Sequence, residues 1–354
     1  MEFQAEFDRS PMEMMIMSKN VVIEAVSYRL PPHRIPSSSL ENEVSRTMAR
    51  LGLEPGFIEG LTGIRERRFW DVGTMPSEVA TAAALDVMEK AGVAKEEIGC
   101  LINTSVCRDY IEPSTASLVH GNLGLPATCI NYDIGNACLG FMDAMVNIAL
   151  MIEAGLIRYG LIVDGEGSRE VVEATLKRLS SDDIDEETFR ANFATLTLGS
   201  GAVAMLMCSK ATSTSGHLIN GSVTRAATQH SRLCLGQKDG MVADAHGVLV
   251  HGVELAHITW QEACRTLKNW GDDTIDLYIP HQVSARNMKA LNATLGLNPE
   301  KAHLNFQNLG NIGPAALPIT LAMAEEDNRA KPGDHVALMG IGSGLNCTMM
   351  SVGW

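Results

Sequence analysis

Basic residues are in the minority: 28 lysines and arginines stand against 42 aspartates and glutamates, a formal charge of −14 over 354 residues. Holding a phosphate backbone or an anionic membrane surface needs clustered cations, so nucleic acid and membrane surfaces are excluded as partners. No run of eighteen apolar residues exists. The best candidate, 139–152, holds Asp143 and Asn147, so a membrane span is not expected. The first nineteen residues are rich in Met and Phe but carry Glu2, Glu6, Asp8 and Glu13 and no basic segment. That pattern is not a secretory signal; residues 1–19 read instead as an extension, frayed or covering a partner. The eight cysteines form no C-x-x-C pair and no Cys/His cluster at zinc spacing. They read as free thiols of a reducing cytoplasm, small buried hydrophobes unless something activates one. G-x-S-x-G, H-E-x-x-H and Walker A motifs are all missing, and Gly340-Ile-Gly-Ser-Gly344 lacks the third glycine of a dinucleotide fingerprint. Nothing in the sequence requires a metal or a redox cofactor.

What is present is apolar material, 45% of the chain, enough for a sizeable core in two domains or one duplicated one. The sequence repeats itself. Leu198-Gly-Ser-Gly201 and Ile341-Gly-Ser-Gly344 each feed an apolar strand. Further back, Ile98–Val106 matches Ile275–Val283 in character, Leu123-Gly-Leu125 matches Leu295-Gly-Leu297, and Ile134–Cys138 matches the segment around Leu309-Gly-Asn311. Apolar helices at 139–153 and 315–325 follow, then β-rich runs at 160–164 and 335–340. Two halves of one β-α-β plan emerge, 20–208 and 216–354, and alternating strands and helices argue for layered α/β with largely parallel pairing. The first half carries an extra helix-prone segment, 165–197, whose Asp182, Asp183, Asp185, Glu186 and Glu187 suit a helix start. It reads either as a solvated helical pair or as a cap over a substrate channel.

The repeat also generates the polar positions at corresponding strand ends. Cys138 opens a helix after a Gly-Asn-Ala turn, His281 follows a strand, and Asn311 occupies the turn that matches that of Cys138. A cysteine facing the unpaired N–H groups of a first helical turn is expected to have a lowered pKa and act as a nucleophile suited to thioester exchange. His281 and Asn311 both donate hydrogen bonds, which suits an oxyanion site for an enolate. The backbone N–H groups of Ser343 and of Cys138 itself suit a second oxyanion at the acyl carbonyl. Taken singly, Cys138 reads as core filler, His281 beside Pro280 as a structural histidine and Asn311 as a turn residue. Taken together at symmetry-related strand ends, they read as a site.

At these residues the sequence resembles the thiolase superfamily and its ketoacyl synthase III branch. The marks are Thr62-Gly-Ile-Arg-Glu-Arg67, Asn136-Ala-Cys138-Leu-Gly-Phe141, Pro280-His281-Gln282, Gly310-Asn311-Ile-Gly-Pro314 and the closing Gly340-Ile-Gly-Ser-Gly-Leu-Asn346. Asn103–Ser117 and Val163-Asp-Gly-Glu-Gly167 resemble most the OleA group, which condenses long-chain acyl-CoAs head to head. The resemblance implies a thiolase fold of duplicated βαβαβαββ halves in a five-layered αβαβα sandwich, a homodimer, and a Cys138–His281–Asn311 triad. It implies acyl transfer from one fatty acyl-CoA to Cys138, then attack by a second acyl-CoA deprotonated at its α-carbon. A 2-alkyl-3-keto acid results, for downstream enzymes of olefin, ketone or β-lactone formation. Acyl-CoA has no carboxyl group to lose, so the carbanion needs a general base. The resemblance gives that role to Glu112, reaching into the neighbouring subunit. The chain departs from synthase III where an aromatic and an arginine are associated with the CoA adenine; Phe57 and Leu61 stand there, and no residue is assigned to the nucleotide. Three other readings stay open: a decarboxylating synthase III using a malonyl donor, a non-catalytic partner subunit, and a cysteine thioesterase.

Overall fold

Strand residues with side chains pointing alternately to two faces need an apolar layer on each. In the computed structural model, which describes residues 15–16 and 20–354, that demand organises the chain. The first half runs β1 (Met15–Ile16), β2 (Val21–Arg29), β3 (His33–Pro36), α1 (Ser37–Glu43), α2 (Ser45–Arg50), α3 (Phe57–Thr62), β4 (Glu66–Phe69), α4 (Pro76–Ala91), β5 (Ile98–Asn103), α5 (Thr115–Leu123), β6 (Ile130–Asp133), α6 (Gly140–Glu153) and β7 (Tyr159–Glu166). Two helices, α7 (Arg169–Leu179) and α8 (Glu186–Asn192), precede β8 (Gly201–Ser209). The second half runs β9 (His217–Ala226), β10 (Cys234–Gln237), β11 (Gly240–Ala243), α9 (Ala245–Thr266), β12 (Leu277–Pro280), α10 (Ala285–Leu295), α11 (Phe306–Leu309), α12 (Ala316–Glu326), β13 (His335–Gly342) and β14 (Asn346–Gly353). Of the N-terminal extension, only the β1 pair lies among the described residues, against Val223 and Ser222 of β9; the rest of 1–19 lies outside them.

The strand order β12-β13-β14-β9-β2-β8-β7-β5-β6 reads the same outward from the β9–β2 junction in both directions. β2, β8, β7 and β5 of the first half occupy the places of β9, β14, β13 and β12 of the second. The counterpart of β6 is reduced to one bridge, Tyr278 to Ala302. Pairing is mixed rather than largely parallel. β5–β6, β5–β7 and β12–β13 are parallel, whereas β7–β8, β2–β8, β2–β9, β9–β14 and β13–β14 are antiparallel. The parallel pairs join strands linked by a crossover helix. Tight or returning connections reverse the others, as where Gly342-Ser-Gly344 turns β13 into β14.

Alternation builds five layers. Val22, Leu101, Leu161, Val163 and Leu206 face outward onto α4 and α5, while Ile23, Ile102, Ile162, Val203 and Met205 face inward onto α6 and α12. In the second half Leu277, Ile279, Val336 and Leu338 face the same two central helices, and Tyr278, Ala337, Met339 and Met349 face α9 and α10. Central helices must be apolar nearly all round. α6 buries Phe141, Met142, Met145, Ile148 and Ile152, and α12 buries Leu317, Ile319, Leu321 and Ala324. Each of the larger of these side chains stabilises the fold by roughly 1.5–3 kcal/mol relative to exposure.

Helix ends repeat too. The Ser114 hydroxyl accepts from the Ser117 N–H at the start of α5, and Ser284 accepts from the Asn287 N–H at the start of α10. Each helix stops at a left-handed glycine, Gly124 or Gly296. In the segment between β7 and β8, Asp185 caps α8 through the Thr188 N–H at 2.8 Å. The inner face there packs Val172, Leu176, Leu179, Ile184 and Phe189 against Leu40, Val44, Met48 and Ile58. Its other acidic residues face solvent. Among the described residues, no helix is long and apolar enough to cross a membrane.

Candidate active site

The ends of β6, β7, β12 and β13 meet around one turn. Ala137 holds a left-handed backbone, φ 45°, a conformation that costs a non-glycine residue on the order of 1–2 kcal/mol. It makes the reversal that carries the chain from β6 to α6 and sets Cys138 immediately before the N-cap Leu139. The turn is fixed from both halves. Asn136 donates to Asp143 at 2.6 Å and accepts from the Asn346 amide at 3.1 Å. Gly342 leaves no room for more: a Cβ there would lie 2.9 Å from the Asn136 carbonyl and 3.0 Å from the Leu139 nitrogen.

His281 follows β12 and donates its backbone N–H to the Met339 carbonyl at 2.8 Å, one residue before Gly340, which packs on Leu139 and Met142. Its ring is buried with Nδ1 unpartnered. Burial pushes the imidazole down to about 4, so it is neutral at physiological pH. Asn311 is buried in a turn bound to the Thr197 carbonyl and the Gly199 N–H, each at 2.9 Å. Its Oδ1 accepts the Gly313 N–H at 3.0 Å, which leaves the amide NH2 as its free donor face. Gly310 makes this possible. At φ 70° a Cβ would approach the Thr197 carbonyl to 2.7 Å and the buried Arg67 side chain to 3.3 Å. Ser343 lies in the turn after β13 and hydrogen-bonds the Cys234 thiol, which itself acts electrostatically on Cys138.

The expected activation of the thiol is reversed in this state. Desolvation, then the charges of Glu166, Cys234 and Asp164, push Cys138 up to about 12; its backbone N–H opposes them and is outweighed. Two causes explain the failed expectation. Cys138 precedes the helix rather than occupying its first turn, and the carboxyl groups that act on it are ones that position along the chain does not reveal. Cys138 therefore rests as a thiol.

Those carboxyl groups belong to Asp164 and Glu166 at the end of β7, both buried. Glu166 accepts the N–H groups of Val106 at 2.6 Å and Cys107 at 3.2 Å. Asp164 accepts the Thr104 hydroxyl at 2.5 Å. Sequence reasoning used Val163-Asp-Gly-Glu-Gly167 only as a mark of resemblance; two acidic residues at i and i+2 inside an apolar strand were the available signal.

Glu112 stands on the loop between β5 and α5. It is exposed, with no hydrogen bond or ion pair among the described residues, at the end of a loop whose base is fixed. The base is tied by Glu166, by Arg108 against Asp133 at 3.9 Å, and by Asp109 to the Ser77 hydroxyl at 2.5 Å and Thr115 at 3.3 Å. The tip is apolar and bare: Ile111 is 91% exposed and Tyr110 51%. Phe57, at the position that departs from synthase III, stacks edge-on against Phe193 at 5.6 Å and belongs to a packed core, while Leu61 faces solvent.

Residues 266–354 match the family described as 3-oxoacyl-[acyl-carrier-protein] synthase III, C terminal. The chain is 42% identical to the acyl-CoA:acyl-CoA alkyltransferase of Xanthomonas campestris pv. campestris over 96% of its length and 100% of the relative's. With the enzyme of the same name from Shewanella oneidensis, identity is 37% over 94% and 99% of the two chains. The crystal structure of a cysteine-to-serine variant of Xanthomonas campestris OleA with bound lauric acid and lauroyl-CoA superposes with a TM-score of 0.93, covering 96% of this chain and 100% of that one. Further structures of that protein carry substitutions at one histidine or one glutamate. With its two-fold repeated five-layered architecture, the chain belongs to the acyl-CoA:acyl-CoA alkyltransferase (OleA) family of thiolase-fold condensing enzymes.

Proposed function

We propose that this enzyme performs a non-decarboxylative Claisen condensation of two fatty acyl-CoAs, with Cys138 as the acyl carrier. The observation that carries the reading is the 42% identity over 96% of the chain to an acyl-CoA:acyl-CoA alkyltransferase; the packing of Gly340 and Gly342 against Leu139 and the Asn136 carbonyl, which brings strand ends of the second half to the Cys138 turn, supports it. In the first stage the Cys138 sulfur attacks the thioester carbonyl of one acyl-CoA. Because the resting group is a thiol, its proton must leave during attack, and neutral His281 is the member of the triad able to accept it. The C–S bond to CoA breaks, CoA leaves as a thiol with that proton, and the acyl chain stays on Cys138. Backbone N–H groups of Cys138 and Ser343 hold the oxyanion of the tetrahedral intermediate.

In the second stage Glu112 of a neighbouring copy takes the α-proton of the second acyl-CoA. The enolate oxygen is held by His281 and Asn311, uncharged donors that need no reorganisation as charge develops. The carbanion attacks the acyl-cysteine carbonyl, a C–C bond forms, and the bond to Cys138 breaks as the sulfur regains a proton. Hydrolysis of the remaining CoA thioester releases a 2-alkyl-3-keto acid, a substrate for later enzymes of olefin, ketone or β-lactone formation.

A homodimer is part of the reading. The outer edge of β6 pairs with no strand among the described residues, and Ile130 on it and Val106, Tyr110 and Ile111 nearby are exposed. A second copy covering that edge would bury them and receive Glu112. Supporting the residue roles, the glutamate and cysteine substituted in the solved Xanthomonas campestris OleA variants are separated along their chain by the same interval as Glu112 and Cys138 here. A cytoplasmic location fits eight cysteines that are all unbridged. Intact-protein mass spectrometry after adding acyl-CoA tests the first stage. An adduct of one acyl group on the wild type and none on Cys138→Ala is expected; an unmodified wild type would leave the chain a binding subunit.

A further inference from the structure

The mechanism leaves the two carboxyl groups at the end of β7 without a task. Asp164 and Glu166 point the same way from alternate strand positions, 0% and 4% exposed. One oxygen of Asp164 has no partner. Glu166 spends one oxygen on the Val106 N–H and the other on Cys107, which offers both its N–H and its thiol. On its other side Glu166 touches the Asn311 turn, for a Cβ on Gly313 would lie 3.6 Å from its Oε1. One carboxylate thus joins the end of β7 to the first residues of the Glu112 loop and lies beside the turn that carries Asn311.

We propose that Glu166 is a positioning residue for the condensing step, its ionised carboxylate clamping the base of the Glu112 loop, and that protonation of the Asp164–Glu166 pair releases the clamp. The proposal rests on the reading of Glu112 as the base. A carboxylate is acceptor-only and satisfies both amides. Once protonated, one of its oxygens becomes a donor facing another donor at Cys107. The groups facing the pair are Cys107 from the loop after β5 and Cys138 ahead of α6, with Gly313 contributing none; no cation pairs with either carboxyl among the described residues. Desolvation accordingly holds both carboxyl groups above their usual range, Glu166 to about 7, which places the release within reach of physiological pH.

Glu166→Gln removes the charge and puts an amide donor against Val106 or Cys107. Hydrogen exchange of segment 104–113, corrected for intrinsic rates over about pH 5.5–8.5, reads the clamp without reference to activity. In the wild type, protection of the Val106 and Cys107 amides is expected to rise through pH ~7, and in Glu166→Gln to stay low and flat. Because the variant also removes a charge that opposes the Cys138 thiolate, acyl loading is expected not to fall, while condensation falls about tenfold or more and loses its limb near neutrality, with Glu166→Asp recovering part of the condensation. Equal protection in wild type and variant, or loading that falls in step with condensation, would overturn the proposal. Should the wild type load acyl groups yet form no carbon–carbon bond, the Glu112 reading fails, while the exchange comparison still decides the clamp.

Discussion

Burial and neighbouring carboxyl groups hold Cys138, the proposed nucleophile, as a thiol, and those groups are the least visible in the sequence. His281 and Asn311 stand out in the sequence because the repeat puts one after a strand and the other in the turn that matches that of Cys138. The burial of Asp164 and Glu166 does not, because desolvation is a property of the packed layers rather than of local spacing. The helix-end argument failed for the same reason: a dipole worth a fraction of a unit charge is outweighed when burial and two carboxyl groups act on the same sulfur. These residues also impose opposed pH dependences on stability. Glu166 has its pKa raised from 4.5 to about 7, so the folded state keeps a proton that the unfolded chain has lost, and stability falls as pH rises across that interval. His281 has its pKa lowered from 6.5 to about 4, so the unfolded chain takes up a proton that the folded state refuses, and stability falls as pH drops across that interval. Denaturant titrations at stepped pH should show the two slopes partly cancelling between 4.5 and 6.5. With Asp164 adding to the fall, stability in Glu166→Gln is expected to fall less with rising pH than in the wild type, and in His281→Asn to fall more steeply. A parallel change in both variants would contradict the assignment.

Elements were read most securely where a long apolar run follows a repeated turn, as at 139–153 and 315–325, where α6 and α12 stand. Pairing direction was misjudged, since strand sequences that are apolar on both faces look alike whether their partners run parallel or antiparallel. The same ambiguity hid how closely the two halves' turns interlock. Gly342 is the sharpest case: with its Cβ 2.9 Å from the Asn136 carbonyl, Gly342→Ala must displace the turn that carries Cys138. Acyl-adduct formation is expected to drop by about tenfold or more, with destabilisation on the order of 1–3 kcal/mol, read by mass spectrometry and thermal melting. Unaltered loading would show that the two turns move independently. The acidic segment between β7 and β8 gives the complementary prediction. Asp185→Ala removes the α8 cap and should cost about 1 kcal/mol of stability with turnover unchanged; lost turnover would instead tie this segment to substrate passage.

At the scale of the whole molecule, two halves related by an internal repeat bury one pair of helices between them and bring strand ends from both onto a single site. That plan was legible in the sequence. The fixed base and bare apolar tip of the loop that carries Glu112 were not, because they depend on burial rather than spacing; that Glu112 serves a neighbouring copy is what the resemblance implied. That implication makes a subunit-mixing experiment decisive for that part of the reading. Cys138→Ala and Glu112→Gln homodimers should each be inactive in condensation, and refolding or co-expressing them together should restore roughly a quarter of wild-type activity, the share of sites that combine an intact cysteine with an intact partner glutamate. No recovery would place the base within the same chain. The central claim is the joining of two acyl-CoAs without decarboxylation. Product analysis by mass spectrometry with acyl-CoA as the sole substrate tests it most directly: a 2-alkyl-3-keto acid, or the ketone formed from it, is expected, whereas free fatty acid alone, or a condensed product only when a malonyl donor is added, would contradict it.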